Sequence, residues 1–149
     1  MPTQLVAPPE GWVALSIKQP WAGLIVAGLK SIEVRTWSAS RRGPVLIHAS
    51  KVPDERPEGW SHVMTPAVRT LTELRGGIVG LANLVDCHEY ATRAAFVTDR
   101  LKHLNDPSWF RLPRLFGHQF EDVKIIPFSP YTGQTMYFSV KKLVKGLAL

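Results

Sequence analysis

Cysteine is almost absent: Cys87 is the single one in 149 residues. The chain therefore forms no internal disulfide and cannot build a four-cysteine zinc site. No apolar run approaches the ~20 residues that a membrane-spanning helix requires, and the opening MPTQLVAPPEGW lacks the basic and apolar regions of a secretory signal. These absences predict a reducing, cytoplasmic setting and no membrane partner. The phosphate-cradling and dinucleotide glycine motifs are missing, as are H-E-x-x-H, the serine elbow and the deaminase pair H-x-E with P-C-x-x-C. The five histidines include no H-x-H pair. DCHE at 86–89 gathers ligand-type residues, but neighbours on a strand point to opposite faces and cannot all reach one ion. Neither a metal nor any other cofactor is expected.

What is present is an ordinary globular composition, 45% hydrophobic and 20% charged, which argues against wholesale disorder and for one compact domain. The net charge is +6. Residues 1–75 hold nine basic and six acidic residues, and residues 76–149 hold the same. The excess is thus a property of the whole surface and not of a tail, which suits a polyanionic partner. The sequence leaves oligomeric state open.

Along the chain, 12–18 alternates as a strand does. Pro20 then fits a first helical turn, and Trp21, Leu24, Ile25 and Leu29 form an apolar stripe at helical spacing. Gly28 suits a left-handed helix end. From 31 to 37 the period becomes two, with Glu33, Arg35 and Trp37 on one side and Ile32, Val34 and Thr36 on the other. Further strands are predicted at 45–51, 77–87, 123–128 and 133–143. Helical patterns occur at 67–74 and at 91–104, the latter with Ala94, Ala95, Val97, Leu101 and Leu104 as its apolar face. Residues 1–13 read as a draped terminus, 14–143 as a single domain with a proline-rich insertion at about 52–76, and 144–149 as a tail. Short strands with few helices predict a small, curved, mostly β domain.

The chemistry-bearing group is Lys30, Glu33 and Arg35. Glu33 and Arg35 share a strand face, and Lys30, at the helix-to-strand corner, can swing toward it. Two cations beside one carboxylate would bind the polar edge of a planar ligand; the competing reading is an exposed ion pair of little energetic consequence. Trp21 and Trp37 flank the group, as base stacking requires, although Trp21 also belongs to the apolar stripe. His48 is either a wall of the same concavity or a structural histidine.

Taken in order, LSIKQPWAGLIVAGLKSIEVRTW, RRGPVLIHASK, GGIVGLANLVDC and GQTMYFSV resemble the ASCH family of the PUA-like superfamily, from about residue 14 to residue 140. The run Gly28, Lys30, Glu33, Arg35 and the strand end His48-Ala49-Ser50-Lys51 carry the likeness, which is nearest to longer members with QPW ahead of the helix. The resemblance implies an α+β fold, a small PUA-like curved β-barrel with a few flanking helices, and a cleft lined by the Lys-Glu-Arg run. It implies that Gln19, Trp21, Lys30, Glu33, Arg35, Trp37, His48, Lys51 and Tyr131 bind a ligand. The implied partner is RNA or single-stranded nucleic acid, or a free modified nucleoside.

Some members of that family deacetylate acetylated cytidine or cleave RNA, so a metal-independent hydrolase, a nucleoside amidohydrolase or a ribonuclease, is the alternative. In the amidohydrolases a threonine nucleophile stands three residues after the lysine, where this chain has Glu33. Catalysis would then fall to Glu33 as general base toward water and Lys30 as oxyanion partner. Glu33→Gln is expected to abolish turnover under that reading with little change in melting temperature. An adaptor role for the 52–76 insertion is the weakest option, because the insertion lacks an amphipathic anchor pattern.

Overall fold

The computed structural model describes residues 6–141 and Leu147. Its elements run β1 (Val13–Ile17), α1 (Trp21–Val26), β2 (Ile32–Arg35), β3 (Gly43–Ala49), α2 (Pro57–Trp60), α3 (Pro66–Thr72), β4 (Gly77–Tyr90), α4 (Arg93–Thr98), α5 (Arg100–His103), a 3-10 turn (Pro107–Trp109), β5 (Leu115–Pro130) and β6 (Tyr137–Ser139). The strands form one sheet in the order β2-β5-β4-β3-β1-β6. β1 and β3 are parallel; the other pairs are antiparallel. Register shifts in β4 after Ile78, Leu81 and Leu84, and in β3 after Ile47, insert bulges that bend these long strands.

This is the predicted α+β architecture, but the sheet is curved without closing. Its edges, β2 and β6, are not hydrogen-bonded neighbours. Side chains bridge the seam instead: Trp37, just after β2, packs edge-on against Tyr137 of β6 at 5.6 Å. Tyr137 Oη also lies 2.8 Å from Nδ1 of His118, on β5. Rings occupy the space that backbone pairing would need.

α1 is buried on every side, from Trp21 through Val26. One face packs on the sheet with Leu15, Ile17, Val45, Ile47 and Phe120, and the other meets α3. A Cβ at Gly23 would stand 2.6 Å from Thr72 Cγ2 and 2.9 Å from the Thr72 backbone nitrogen, so only glycine permits this approach. Gly28 adopts φ +81 as the helix ends. Leu29, predicted within the apolar stripe, lies beyond that turn and is 49% exposed.

Three further expectations change. The 91–104 helix breaks at Asp99 into α4 and α5, and its buried side chains are Phe96 and His103, which stack at 4.1 Å. Ala94, Ala95, Val97 and Leu101 face outward, because Tyr90 and Leu115 draw Phe96 into a second cluster. The strand expected at 123–128 begins at Leu115, since Leu115 to Gln119 pair with β4 and Phe116 to Gln119 pair also with β2. The last strand shortens to Tyr137–Ser139, and residues 142 and 143 lie outside the described residues, as does the 144–149 tail apart from Leu147. No helix among the described residues is long and apolar enough to cross a membrane.

Candidate nucleic-acid interface

Strand β2 aims Glu33 and Arg35 into the seam between the sheet edges. Arg35 donates through Nε (3.2 Å) and Nη2 (2.9 Å) to Glu33 Oε2, and its Nη2 also donates to the Ser16 carbonyl of β1 at 2.9 Å. Glu33 Oε1 lies 3.5 Å from Lys30 Nζ. Lys30 is only 1% exposed and donates to the His103 carbonyl and to Asn105 Oδ1, with its ammonium 4.8 Å from the Trp21 ring centroid. Burial lowers the Lys30 pKa to about 8, against the opposing pull of Glu33. The trio is therefore a largely buried network and not an exposed ion pair. Lys30 backs Glu33 from the protein side instead of facing the cavity.

In front of Glu33 and Arg35 opens a cavity of about 520 Å³ walled by Trp21, Trp37 and Trp109 with Arg56 at its side. The proline-rich insertion supplies its framework. Asp54 Oδ2 accepts from Trp21 Nε1 at 3.0 Å and from Arg56 Nη2 at 2.8 Å, and Asp54 Oδ1 accepts from the Arg56 backbone N–H and Nε. Burial would raise the Asp54 pKa, but the Arg56 and Trp21 hydrogen bonds prevail and bring it to about 2. Arg56 lies 3.8 Å over the Trp109 ring, while Glu58 of α2 accepts from both Trp109 Nε1 and the Asp106 backbone N–H.

Trp37 is fixed from below by His118. The His118 Nε2–H donates to the Trp37 carbonyl at 2.9 Å, so its Nδ1 accepts from Tyr137 Oη–H. Burial lowers the His118 pKa, which keeps this tautomer neutral. The Trp37 and His118 rings meet edge-on at 4.9 Å.

A second lobe of about 930 Å³ adjoins the first. The two share Ser16, Lys18, Ser50, Gln134 and Thr135 as lining. Lys51, Arg75, His48 and Tyr131 line the second lobe alone, and no carboxylate does. His48 Nε2–H donates to the Tyr131 carbonyl at 2.6 Å, and burial lowers its pKa. Its Nδ1 then accepts from Ser16 Oγ–H at 2.9 Å, which leaves the Ser50 hydroxyl to donate to Ser16 at 2.8 Å.

The residues predicted from sequence are thus divided. Trp21, Glu33, Arg35 and Trp37 meet in the tryptophan lobe, whereas His48, Lys51 and Tyr131 belong to the second. His48 does not join the Lys-Glu-Arg concavity. Gln19 reaches neither lobe: its Oε1 accepts from Gly23 N–H and its Nε2 donates to the Leu71 and Leu74 carbonyls. These bonds strap the loop after β1 to α1 and α3, so the amide is consumed by the fold. Sequence reasoning missed Trp109, Arg56, Asp54, Lys18 and Arg75. Trp109 and Arg56 are separated by more than fifty positions, and no spacing rule joins them. Among the described residues no group of three His, Cys, Asp or Glu side chains could hold a metal ion.

Comparison with known proteins bears on family and fold. A family model described as the ASCH domain matches residues 15–134. Activating signal cointegrator 1 of Homo sapiens is 48% identical over 40 residues, covering 27% of this chain and 7% of that protein. The Mus musculus protein of the same name is 32% identical over 87 residues, covering 52% and 14%. The matched part thus spans no more than 14% of the length of these curated relatives. The crystal structure of ASCH from Zymomonas mobilis superposes with a TM-score of 0.61 at 14% identity, covering 87% of each chain. A variant of that protein gives 0.61 at 12% identity, covering 95% of this chain and 92% of its own. At such identities the structural likeness carries the fold alone.

Proposed function

The chain belongs to the ASCH domain family, a PUA-like family associated with RNA binding, and on that footing we propose that it binds RNA or other single-stranded nucleic acid by enclosing a base in the tryptophan lobe. The observation that carries this reading is the convergence of Trp21, Trp37 and Trp109 with the guanidiniums of Arg35 and Arg56 around one cavity. Indole faces beside planar cations are what an unpaired base stacks on, and each stacked base contributes about 1–3 kcal/mol. Glu33 and Asp54 hold the guanidiniums in place and leave the rings to face the ligand.

The same contacts weigh against the hydrolase roles of Lys30 and Glu33. Glu33 Oε2 already accepts two Arg35 hydrogen bonds and its Oε1 faces Lys30, so the carboxylate is poorly placed to take a proton from water. Lys30 does not line the cavity and has no path to an oxyanion there.

The test is a titration of a short single-stranded RNA, its DNA counterpart and free nucleosides, modified cytidines included, read by indole fluorescence at several salt concentrations. The reading predicts quenching by the oligonucleotides and an affinity that falls with salt. Mass spectrometry of the same mixtures, supplemented with acylated cytidines, should find no product. No quenching by any oligonucleotide would overturn the proposal, and salt-independent quenching by nucleosides would redirect it to a free nucleoside.

A further inference from the structure

The base-binding reading leaves the second lobe without a task, and its charge is of a different kind. Lys18, Lys51 and Arg75 converge on a cavity that no carboxylate lines. Among the described residues none of the three has a carboxylate partner within ion-pair distance. Arg75 is held instead by the Thr72 and Glu73 carbonyls, which Nη1 contacts at 3.4 and 3.2 Å. These neutral acceptors orient the guanidinium and leave its charge uncompensated. His48, the remaining titratable wall of basic type, is neutral in the tautomer fixed by Tyr131 and Ser16.

We propose that this lobe receives a terminal phosphate, so that the preferred ligand is a nucleic-acid end bearing a phosphomonoester, with the adjoining base in the tryptophan lobe. The proposal rests on the base-binding reading and deepens it. Charge is the first argument. An internal phosphodiester brings one negative charge, whereas a phosphomonoester brings about 1.5 to 2 at neutral pH and makes fuller use of three unpaired cations. The second argument is contiguity. Lys18, Ser16 and Ser50 line both lobes, so a base and its own phosphate can straddle that boundary.

The third argument is the far boundary. Pro130 to Gly133 line the second lobe only, and this segment is pinned down. Tyr131 N–H donates to the Gly76 carbonyl at 3.1 Å and the Tyr131 carbonyl accepts from His48. A Cβ at Gly133 would stand 2.7 Å from His48 Cε1 and 2.9 Å from Ser16 Oγ. The segment thus gives the lobe a fixed wall against which a terminal phosphate can rest.

The experiment compares one short single-stranded RNA in three forms, with a 5′-phosphate, with a 3′-phosphate and with hydroxyls at both ends, by fluorescence anisotropy on the full chain. One phosphorylated form should bind about tenfold or more tightly than the hydroxyl form, and its identity tells which end is read. In K51Q/R75Q the difference between the two forms should collapse, while in Lys51→Arg it should persist. A thermal melt shows that each variant is folded. If all three forms bind equally, the terminal-phosphate proposal is overturned while base binding stands. If none binds, both fail. A preference for the phosphorylated form that survives in the folded double variant also overturns it, because the phosphate is then held elsewhere.

Discussion

In the tryptophan lobe the guanidiniums sit against carboxylates, Arg35 on Glu33 and Arg56 on Asp54, whereas in the adjoining lobe Lys51 and Arg75 face a cavity that no carboxylate lines. The two regions share a boundary and use the same residue types, yet they hold charge in opposite ways. Compensated charge, tied down by hydrogen bonds, gives a surface of fixed shape and little long-range field. Uncompensated charge gives attraction for an anion that salt screens. The groove thereby separates the task of shaping a base pocket from that of attracting a phosphate.

The sharpest way to break this contrast is to uncompensate the first lobe. Glu33→Gln removes the carboxylate opposite a buried ammonium, and breaking a buried pair from one side costs about 3–5 kcal/mol. Urea denaturation should show that loss. Under the hydrolase reading the same substitution is expected to leave the melting temperature nearly unchanged; with Lys30 buried behind Glu33 the expected outcome is a loss. A change below about 1 kcal/mol would mean that Lys30 is stabilised without Glu33, contrary to the compensated network described above.

A pH series sharpens the same point. Lys30 has a folded pKa of about 8 against 10.5 in its unperturbed state. Below the lower value the group is charged in both states and its burial penalty is constant. Between the two values the unfolded chain binds more protons, so stability contributed through Lys30 rises with pH and levels off above 10.5. The urea midpoint of wild type relative to Lys30→Met should therefore climb across that window. A flat difference would place the ammonium in a more solvated setting.

How much of this was legible from residues follows from how local each signal was. The period-two run put Glu33 and Arg35 on one face, where β2 pairs them side chain to side chain, because strand alternation depends on neighbours alone; Trp37 lies past the end of that strand. Gln19 is a ligand-binding residue by resemblance, yet its amide is consumed by Gly23, Leu71 and Leu74, and only the folded insertion brings the last two near. Trp109 was invisible for the same reason, since its place depends on Glu58 and Arg56 from another segment. At 91–104 the apolar spacing identified helix but chose the wrong face, since Phe96 and His103 pack as rings while hydropathy counted alanines and leucines. An ammonium buried behind its carboxylate leaves no mark in spacing at all.

Binding measurements probe the lobes separately. Trp37→Ala should cost about 1–3 kcal/mol of oligonucleotide affinity, the contribution of one stacked base, and leave the salt dependence as it was. Lys51→Gln should do the reverse. It should reduce the slope of log K against log salt by about 0.7, the value of one phosphate contact on a single strand. The two slopes, measured side by side by anisotropy, would merge if the lobes were a single undivided charge surface.

The smallest expected effect lies at the hinge between insertion and cage. Glu58 accepts from Trp109 Nε1 and Asp106 N–H together, and Arg56 covers the face of the same indole. Glu58→Gln keeps the shape but retains only one acceptor oxygen, so one of the two N–H donors meets an amide NH2 and loses its bond, a cost of about 1 kcal/mol at this half-buried position. Part of that loss should appear in oligonucleotide affinity, because a loosened Trp109 must be ordered again when the base enters. Trp109→Phe lacks the indole N–H and gives the control. If Glu58 acts by holding that indole, its substitution should cost less in the Trp109→Phe background than in wild type, and the double-mutant cycle should show coupling. Additive losses would instead assign Glu58 to the Asp106 turn, with Trp109 held in the cage by Arg56 and Trp21 packing.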